Sequence, residues 1–203
     1  MARPRQITDE QILQTMRSSV LEHGPAVSLD VVAEQLNVTS PALIKRFGTR
    51  RALMIAALKP PLDTVWSRHL SKGPDARPLR EQLEDVITSF SESFNEAMPC
   101  MFALRESGIP YNEVFPRNEL SPQIKAVQAV TRFLQQLAEM RLCVDEALET
   151  AGSALVGAIT HRAISAHLSH SPWSTRDQKE YARQLSKLFT RALSPDNRNT
   201  PPK

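Results

Sequence analysis

SLDVVAEQLNVTSPALIKRF, residues 28–47, reads as two short helices joined by a tight turn. Ser28 is placed to cap the first helix, with Val27 and Val32 as an apolar staple. Val31, Val32 and Leu36 can face inward, and Asn37 tolerates the left-handed backbone of a helix end. Thr39 caps the second helix, Val38 and Leu43 staple it, and Pro41 sits in its first turn, where a missing N–H does no harm. This is the layout of a helix-turn-helix, whose second helix enters the major groove of DNA. Residues 35–62 carry Lys45, Arg46, Arg50, Arg51 and Lys59 and no Asp or Glu. An acid-free basic run on and after a recognition helix suits phosphate neutralisation.

The flanks agree. Upstream, Thr8 and Gln11 form a capping box, Ile7 and Ile12 a staple, and Ile12, Leu13, Met16 and Val20 an apolar stripe that ends at His23-Gly24-Pro25. Downstream, Gly48 stops the recognition helix and Thr49 caps a helix carrying Ala52, Leu53, Ile55, Ala56 and Leu58. Four caps in register within about fifty residues point to one local architecture.

Charge follows the same division. Residues 1–59 hold eight Lys/Arg against five Asp/Glu, whereas residues 60–203 hold seventeen of each. The whole excess of the +3 net charge lies with the helix-turn-helix, as expected if only that part meets a polyanion. No run approaches the ~20 apolar residues of a membrane span, and MARPRQITDE lacks an apolar signal core, so the expectation is a cytoplasmic protein. Cys100 and Cys143 make no metal spacing and fit reduced thiols.

The rest of the 203 residues reads as helix, with no alternating strand pattern and no internal repeat. Pro60-Pro61 breaks or kinks the fourth helix, Pro61 starts a segment through Trp66 and Leu70, and residues 71–75 are a loop. Leu79 to Phe94 is amphipathic. Pro99 interrupts it, and a short helix from Cys100 ends at Ser107-Gly108. Residues 108–122 read as irregular, and Ile124 to Leu137 as helix. Val144 to Leu168 is rich in small residues, and two helical glycines at about 1 kcal/mol each imply close packing against another helix. A last helix spans about 176–193, and 195–203 reads as a disordered tail. The expected fold is all-α: an N-terminal three-helix DNA-binding domain (1–58) and a C-terminal helical ligand-binding and dimerisation domain (59–194).

At motif level, over about residues 6–58, the chain resembles the TetR family of transcriptional repressors. The resemblance rests on ITDEQIL and on VSLDVVAEQLNVTSPALIKRFGTRRALMIAAL, with Val32-Ala33-Glu34, Asn37-Val38-Thr39, Phe47-Gly48-Thr49-Arg50 and Leu53 at the family's positions. It implies a homodimer whose last two helices pair across a two-fold axis, and a C-terminal ligand cavity that controls the spacing of two DNA heads. Two departures concern the operator. Ile44 stands where the family has Tyr, and Lys45 and Arg46 stand where it has His or Tyr. Ile44 can meet a thymine methyl but cannot donate to phosphate.

Candidate DNA-binding residues are Arg3, Arg5, Ser28, Thr39, Ser40, Pro41, Ala42, Ile44, Lys45, Arg46, Thr49 and Arg50. Arg3 and Arg5 form a basic arm suited to a minor groove, while Arg51 reads as an ordinary solvated charge. Candidate ligand-binding residues are Trp66, Phe90, Phe94, Met98, Met101, Phe102, Phe133 and His161, although an apolar stripe is more often core than pocket. Candidate dimer residues are Ala151, Ala154, Gly157, Ala158, Tyr181, Leu185, Leu188 and Phe189. His161 and His167, six residues apart, lie on different helix faces, and no metal or other cofactor is expected. The leading expectation is a dimeric repressor that binds a pseudo-palindromic operator and is released by a hydrophobic or amphipathic ligand. A DNA-binding regulator governed by a partner protein is the alternative. An all-α enzyme is the remaining one, but the carboxylates Glu81, Glu84, Asp85, Glu92, Glu96 and Glu106 lack di-iron spacing.

Overall fold

The computed structural model describes residues 7–60, 65–116, 120–169 and 174–195, and these are helical with no strand among them. Ten helices follow in order: α1 (Asp9–His23), α2 (Leu29–Gln35), α3 (Ser40–Phe47), α4 (Arg50–Leu58), α5 (Val65–Ser71), α6 (Leu79–Glu106), α7 (Tyr111–Val114), α8 (Pro122–Glu139), α9 (Leu148–Leu168) and α10 (Thr175–Leu193). The all-α expectation holds. Arg3, Arg5, Pro61 and residues 196–203 of the expected tail lie outside the described residues.

The first four helices start where their caps dictate. Thr8 and Gln11 form the reciprocal capping box, with Gln11 N–H donating to Thr8 Oγ1 at 3.2 Å and Thr8 N–H to Gln11 Oε1 at 2.9 Å. Ser28, Thr39 and Thr49 accept from the backbone N–H of Val31, Ala42 and Ala52 at 3.4, 3.4 and 3.0 Å. Asn37 takes φ 53° at the turn, and Gly48 takes φ 84° after α3, a backbone that L side chains resist.

The chain divides into two compact units. Unit 1 is residues 1–60 with 97–119, and unit 2 is residues 61–96 with 120–203. This differs from a domain limit at residue 58. Ile12, Met16, Val20, Val32, Leu43, Leu53, Met54 and Leu58 form a buried cluster that Cys100, Leu104, Ile109, Val114 and Phe115 complete. α6 runs unbroken through Pro99, contrary to the expected interruption. An interior proline costs about 3 kcal/mol. Burial of Cys100, Ala103 and Leu104 one turn further on offsets it, because that burial requires the helix to continue. Residues 111–114, expected to be irregular, form the one turn of α7, which brings Val114 into the same core.

In unit 2 the most extensive helix pairing is α8 with α9. A Cβ built on Gly152 would lie 2.6 Å from Thr131 Oγ1 and 3.3 Å from Thr131 N, so this glycine lets the two helices approach. Gly157 has nothing within 4 Å of a Cβ and is exposed, so close packing explains one glycine and not the other within the protomer. α9 begins at Leu148, four residues after the expected start, because Ala147 is left-handed and the Val144 N–H donates instead to Leu193 O at 2.9 Å. Cys100 and Cys143 are buried and not joined in a disulfide, and burial pushes the Cys143 thiol up to about 11.

Gly152→Ala should destabilise the protein. Helix propensity favours Ala by about 1 kcal/mol, but overpacking against the stiff, β-branched Thr131 costs about 1–3 kcal/mol. Gly157→Ala has open space and should keep or raise stability. Urea unfolding of the two variants checks this, and a raised midpoint for Gly152→Ala would contradict it.

Candidate nucleic-acid interface

The exposed side of α3 is built from Pro41, Ala42, Lys45 and Arg46, with Thr39 before it and Thr49 after it also exposed. Leu43 is fully buried and fixes the helix on the unit 1 core, while Ile44 is half-buried. The spacing 41, 42, 45, 46 is one face of a 3.6-residue repeat, so a single inward Leu decides which side chains face out. Ser28 is also exposed, at the cap of α2.

The hydroxyls of Ser28, Thr39 and Thr49 each accept a backbone N–H. Each keeps its own O–H proton for an external acceptor, and a phosphate oxygen is such an acceptor. Lys45 has no ion pair or hydrogen bond among the described residues, so its ammonium is available.

The arginines are held differently. Arg46 pairs with Asp9 through Nε and donates from Nη1 to Ile7 O at 2.6 Å. It anchors α3 to the start of α1. Arg50, expected at a phosphate, donates from Nη2 to the carbonyls of Pro25 and Val27 at 2.6 and 2.9 Å. Those two carbonyls precede α2 and lack helical partners, so the guanidinium satisfies them and ties α4 to the α1–α2 connection. The expected phosphate contact is a separate role for the guanidinium, whose Nη2 is engaged within the protein. Arg51, expected as a solvated charge, forms a bidentate pair with Glu113, Nε to Oε1 and Nη2 to Oε2 both at 2.6 Å. The hydrogen bonds from Arg51 hold the Glu113 carboxyl below its ordinary range. The pair joins α4 to α7 within unit 1.

The basic run is free of acids along the chain but not in space. Asp9 reaches Arg46, and Asp30 accepts a hydrogen bond from the Ser40 hydroxyl. Neither carboxylate was singled out from the sequence. Both sit in the first turns of other helices, where helix capping alone would account for an acidic residue.

The eight candidate ligand residues do not form one group. Trp66 stacks on Phe90, with ring centroids 4.7 Å apart and planes 16° apart, and Phe90 lies 6.1 Å from Phe94. These three and Phe133 are buried in unit 2. Met98, Met101 and Phe102 belong to unit 1, where Met101 packs on the core cluster. His161 is exposed on α9. Its helical neighbour Arg162 is buried instead, with its guanidinium 3.9 Å from the centre of the Tyr181 ring and Nη2 donating to Asp177 O at 2.8 Å.

The dimer candidates also divide. Ala154, Gly157 and Leu188 are exposed, and Ala151, Ala158 and Phe189 partly so. Leu185 is buried in its own protomer, and Tyr181 donates its hydroxyl to Ala158 O at 3.0 Å, which ties α10 to α9. These two therefore serve the protomer, because α10 turns their side toward α9. Leu168, 62% exposed, lies on the outer face of α9 and was not among the candidates.

No family model and no curated protein matches the sequence. Solved structures do match the fold. A TetR transcription regulator from Haloarcula marismortui is 17% identical, with 91% of this chain and 97% of that one covered at a TM-score of 0.63. The TetR-family regulator PfmR from Thermus thermophilus is 20% identical, with 89% and 97% covered at 0.60. The fatty acid degradation regulator FadR from Bacillus halodurans is 13% identical, with 91% and 96% covered at 0.63. The likeness spans nearly the whole of each chain, and the protein has the fold of the TetR-family transcriptional regulators.

Proposed function

We propose that the protein is a dimeric, DNA-binding transcriptional repressor that responds to a ligand bound in its C-terminal part. The observation that carries the DNA reading is the exposed face of α3. It presents unpaired Lys45, apolar Pro41 and Ala42 fit for thymine methyls, and capping hydroxyls at Thr39 and Thr49 with protons to give. The unit behind it is held rigid by Arg46, Arg50 and Arg51.

Lys45→Ala should weaken binding to all sequences alike and lower the salt slope by about one. Arg50→Ala should leave the slope unchanged and lower the melting temperature, since Arg50 serves the protein's own carbonyls. Titrations of a selected duplex at several salt concentrations, beside thermal unfolding, check both. A slope unaltered by Lys45→Ala would remove this docking geometry.

The dimer reading rests on the outer face of α9 and α10, where Ala154, Gly157, Leu168 and Leu188 are exposed together with half-buried Phe189. An apolar face of this extent favours a partner of the same kind. Gly157→Leu has room within the protomer and so should fold normally. It should weaken self-association by about ten-fold, the lower part of the range expected for overpacking a tight contact. Sedimentation reads this, and a monomeric parent protein at micromolar concentration would contradict it.

The ligand reading rests on the Trp66–Phe90–Phe94 stack and on the buried Ser91 hydroxyl, which has no hydrogen-bond partner among the described residues. A buried orphan hydroxyl costs about 1–3 kcal/mol, and an amphipathic ligand could satisfy it beside an aromatic wall. The neighbour described as a regulator of fatty acid degradation supports a ligand of this kind. An inducer must bind the DNA-free protein more tightly than the DNA-bound one, by linkage. Calorimetric titration of a panel of hydrophobic and amphipathic compounds, with and without operator, should find such a difference. If nothing binds, the regulator without a small-molecule ligand is the better reading.

A further inference from the structure

Ser40 stands apart from the other hydroxyls of the DNA-binding face. Ser28, Thr39 and Thr49 use oxygen lone pairs to cap helices and retain their protons. Ser40 is the first residue of α3, and its Oγ donates to Asp30 Oδ1 on α2. A carboxylate can only accept, so the single Ser40 proton is committed to Asp30, an exposed carboxylate. What remains for an external partner is an oxygen with lone pairs. Ser40 is partly exposed and is followed by exposed Pro41 and Ala42, so that oxygen is not sealed in the core.

A hydroxyl that can only accept has no use for a phosphate, which offers no donor. Guanine O6 and N7 and thymine O4 are also acceptors and are rejected. The major-groove groups that can donate to it are the cytosine N4 and adenine N6 amines. Asp30 strengthens the choice, since its own negative charge disfavours close approach of a phosphate or a carbonyl edge.

We propose that Ser40, with its proton held by Asp30, is a specificity-determining residue. In this role it reads an exocyclic amine, of cytosine or adenine, at one base position of each half-site. Asp30 is a positioning residue that sets the direction of the Ser40 hydroxyl. This rests on the DNA-binding reading of α3 above. It implies a division of labour: hydroxyls that cap helices give protons to the backbone of DNA, and the one hydroxyl that caps nothing takes a proton from a base.

The test compares base preferences selected from random duplexes by the parent protein, Ser40→Ala, Asp30→Ala and Asp30→Asn, with salt slopes for each. The parent should prefer A or C over G or T by about ten-fold at one position per half-site, the scale of a single lost base contact. Ser40→Ala should lose that preference at that position only, with the salt slope unchanged. Asp30→Ala releases the Ser40 proton, so G and T should become acceptable at the same position. Asp30→Asn keeps an acceptor for Ser40 and should retain the preference, while binding of unrelated DNA tightens in both Asp30 variants because a negative charge is gone. Uniform weakening by Ser40→Ala with a smaller salt slope would make Ser40 a phosphate donor and overturn the proposal, as would unchanged preferences in Ser40→Ala and Asp30→Ala. Failure of the parent protein to select any duplex would instead remove the DNA-binding reading on which the proposal rests.

Discussion

The geometry of the exposed α3 face depends on one shared core. About sixty residues bury only a modest fraction of their surface and are marginal alone. Four short helices of seven to fifteen residues leave much of that surface apolar. Leu104, Ile109, Val114 and Phe115 supply the missing cover, although they lie fifty residues or more from α3. The last third of α6, from residue 97, and the single turn of α7 therefore belong physically to the helix-turn-helix. Lys59 adds to this closure, with its ammonium 5.3 Å from the centre of the Phe115 ring.

On that core, the basic residues of α3 and α4 divide into two kinds. Arg46, Arg50 and Arg51 each have a partner suited to a planar, multi-donor cation: a carboxylate, a pair of carbonyls, or both. Lys45 is a point charge on a flexible stem, and the fold leaves it exposed. The difference follows the chemistry of the two side chains. A guanidinium can satisfy several acceptors in fixed directions, which suits it to holding helices together. An ammonium holds few directions and is better placed facing a mobile counterion or a phosphate.

Unit 2 uses small residues for two purposes. Gly152 lies against Thr131 and permits close approach of α8 and α9, while Ala154 and Gly157 point away from the protomer. A hydrophobic stripe on α9 cannot be told from its neighbours by composition, because the helix is apolar around most of its circumference. Arg162 illustrates the same point. Beside an exposed histidine, it is the arginine that is buried, because the Tyr181 ring and the Asp177 carbonyl receive it.

The sequence by itself determined the local events. Thr8, Ser28, Thr39 and Thr49 start helices, Asn37 and Gly48 turn the chain, and the all-α class follows from periodicity. These depend on residues no more than four apart, so one stretch of chain contains the whole cause. The local pattern predicts a break at Pro99, where α6 continues, because the cause of that continuation lies in a core that the local pattern does not contain. Only the tertiary structure decided which cations face outward, that Arg50 meets Pro25 and Val27, and that Ser40 meets Asp30. Those pairings join groups ten to twenty-five residues apart. A hydrogen bond or ion pair is settled by distance in space within a few tenths of an ångström, and no spacing along the chain encodes that for partners on separate helices.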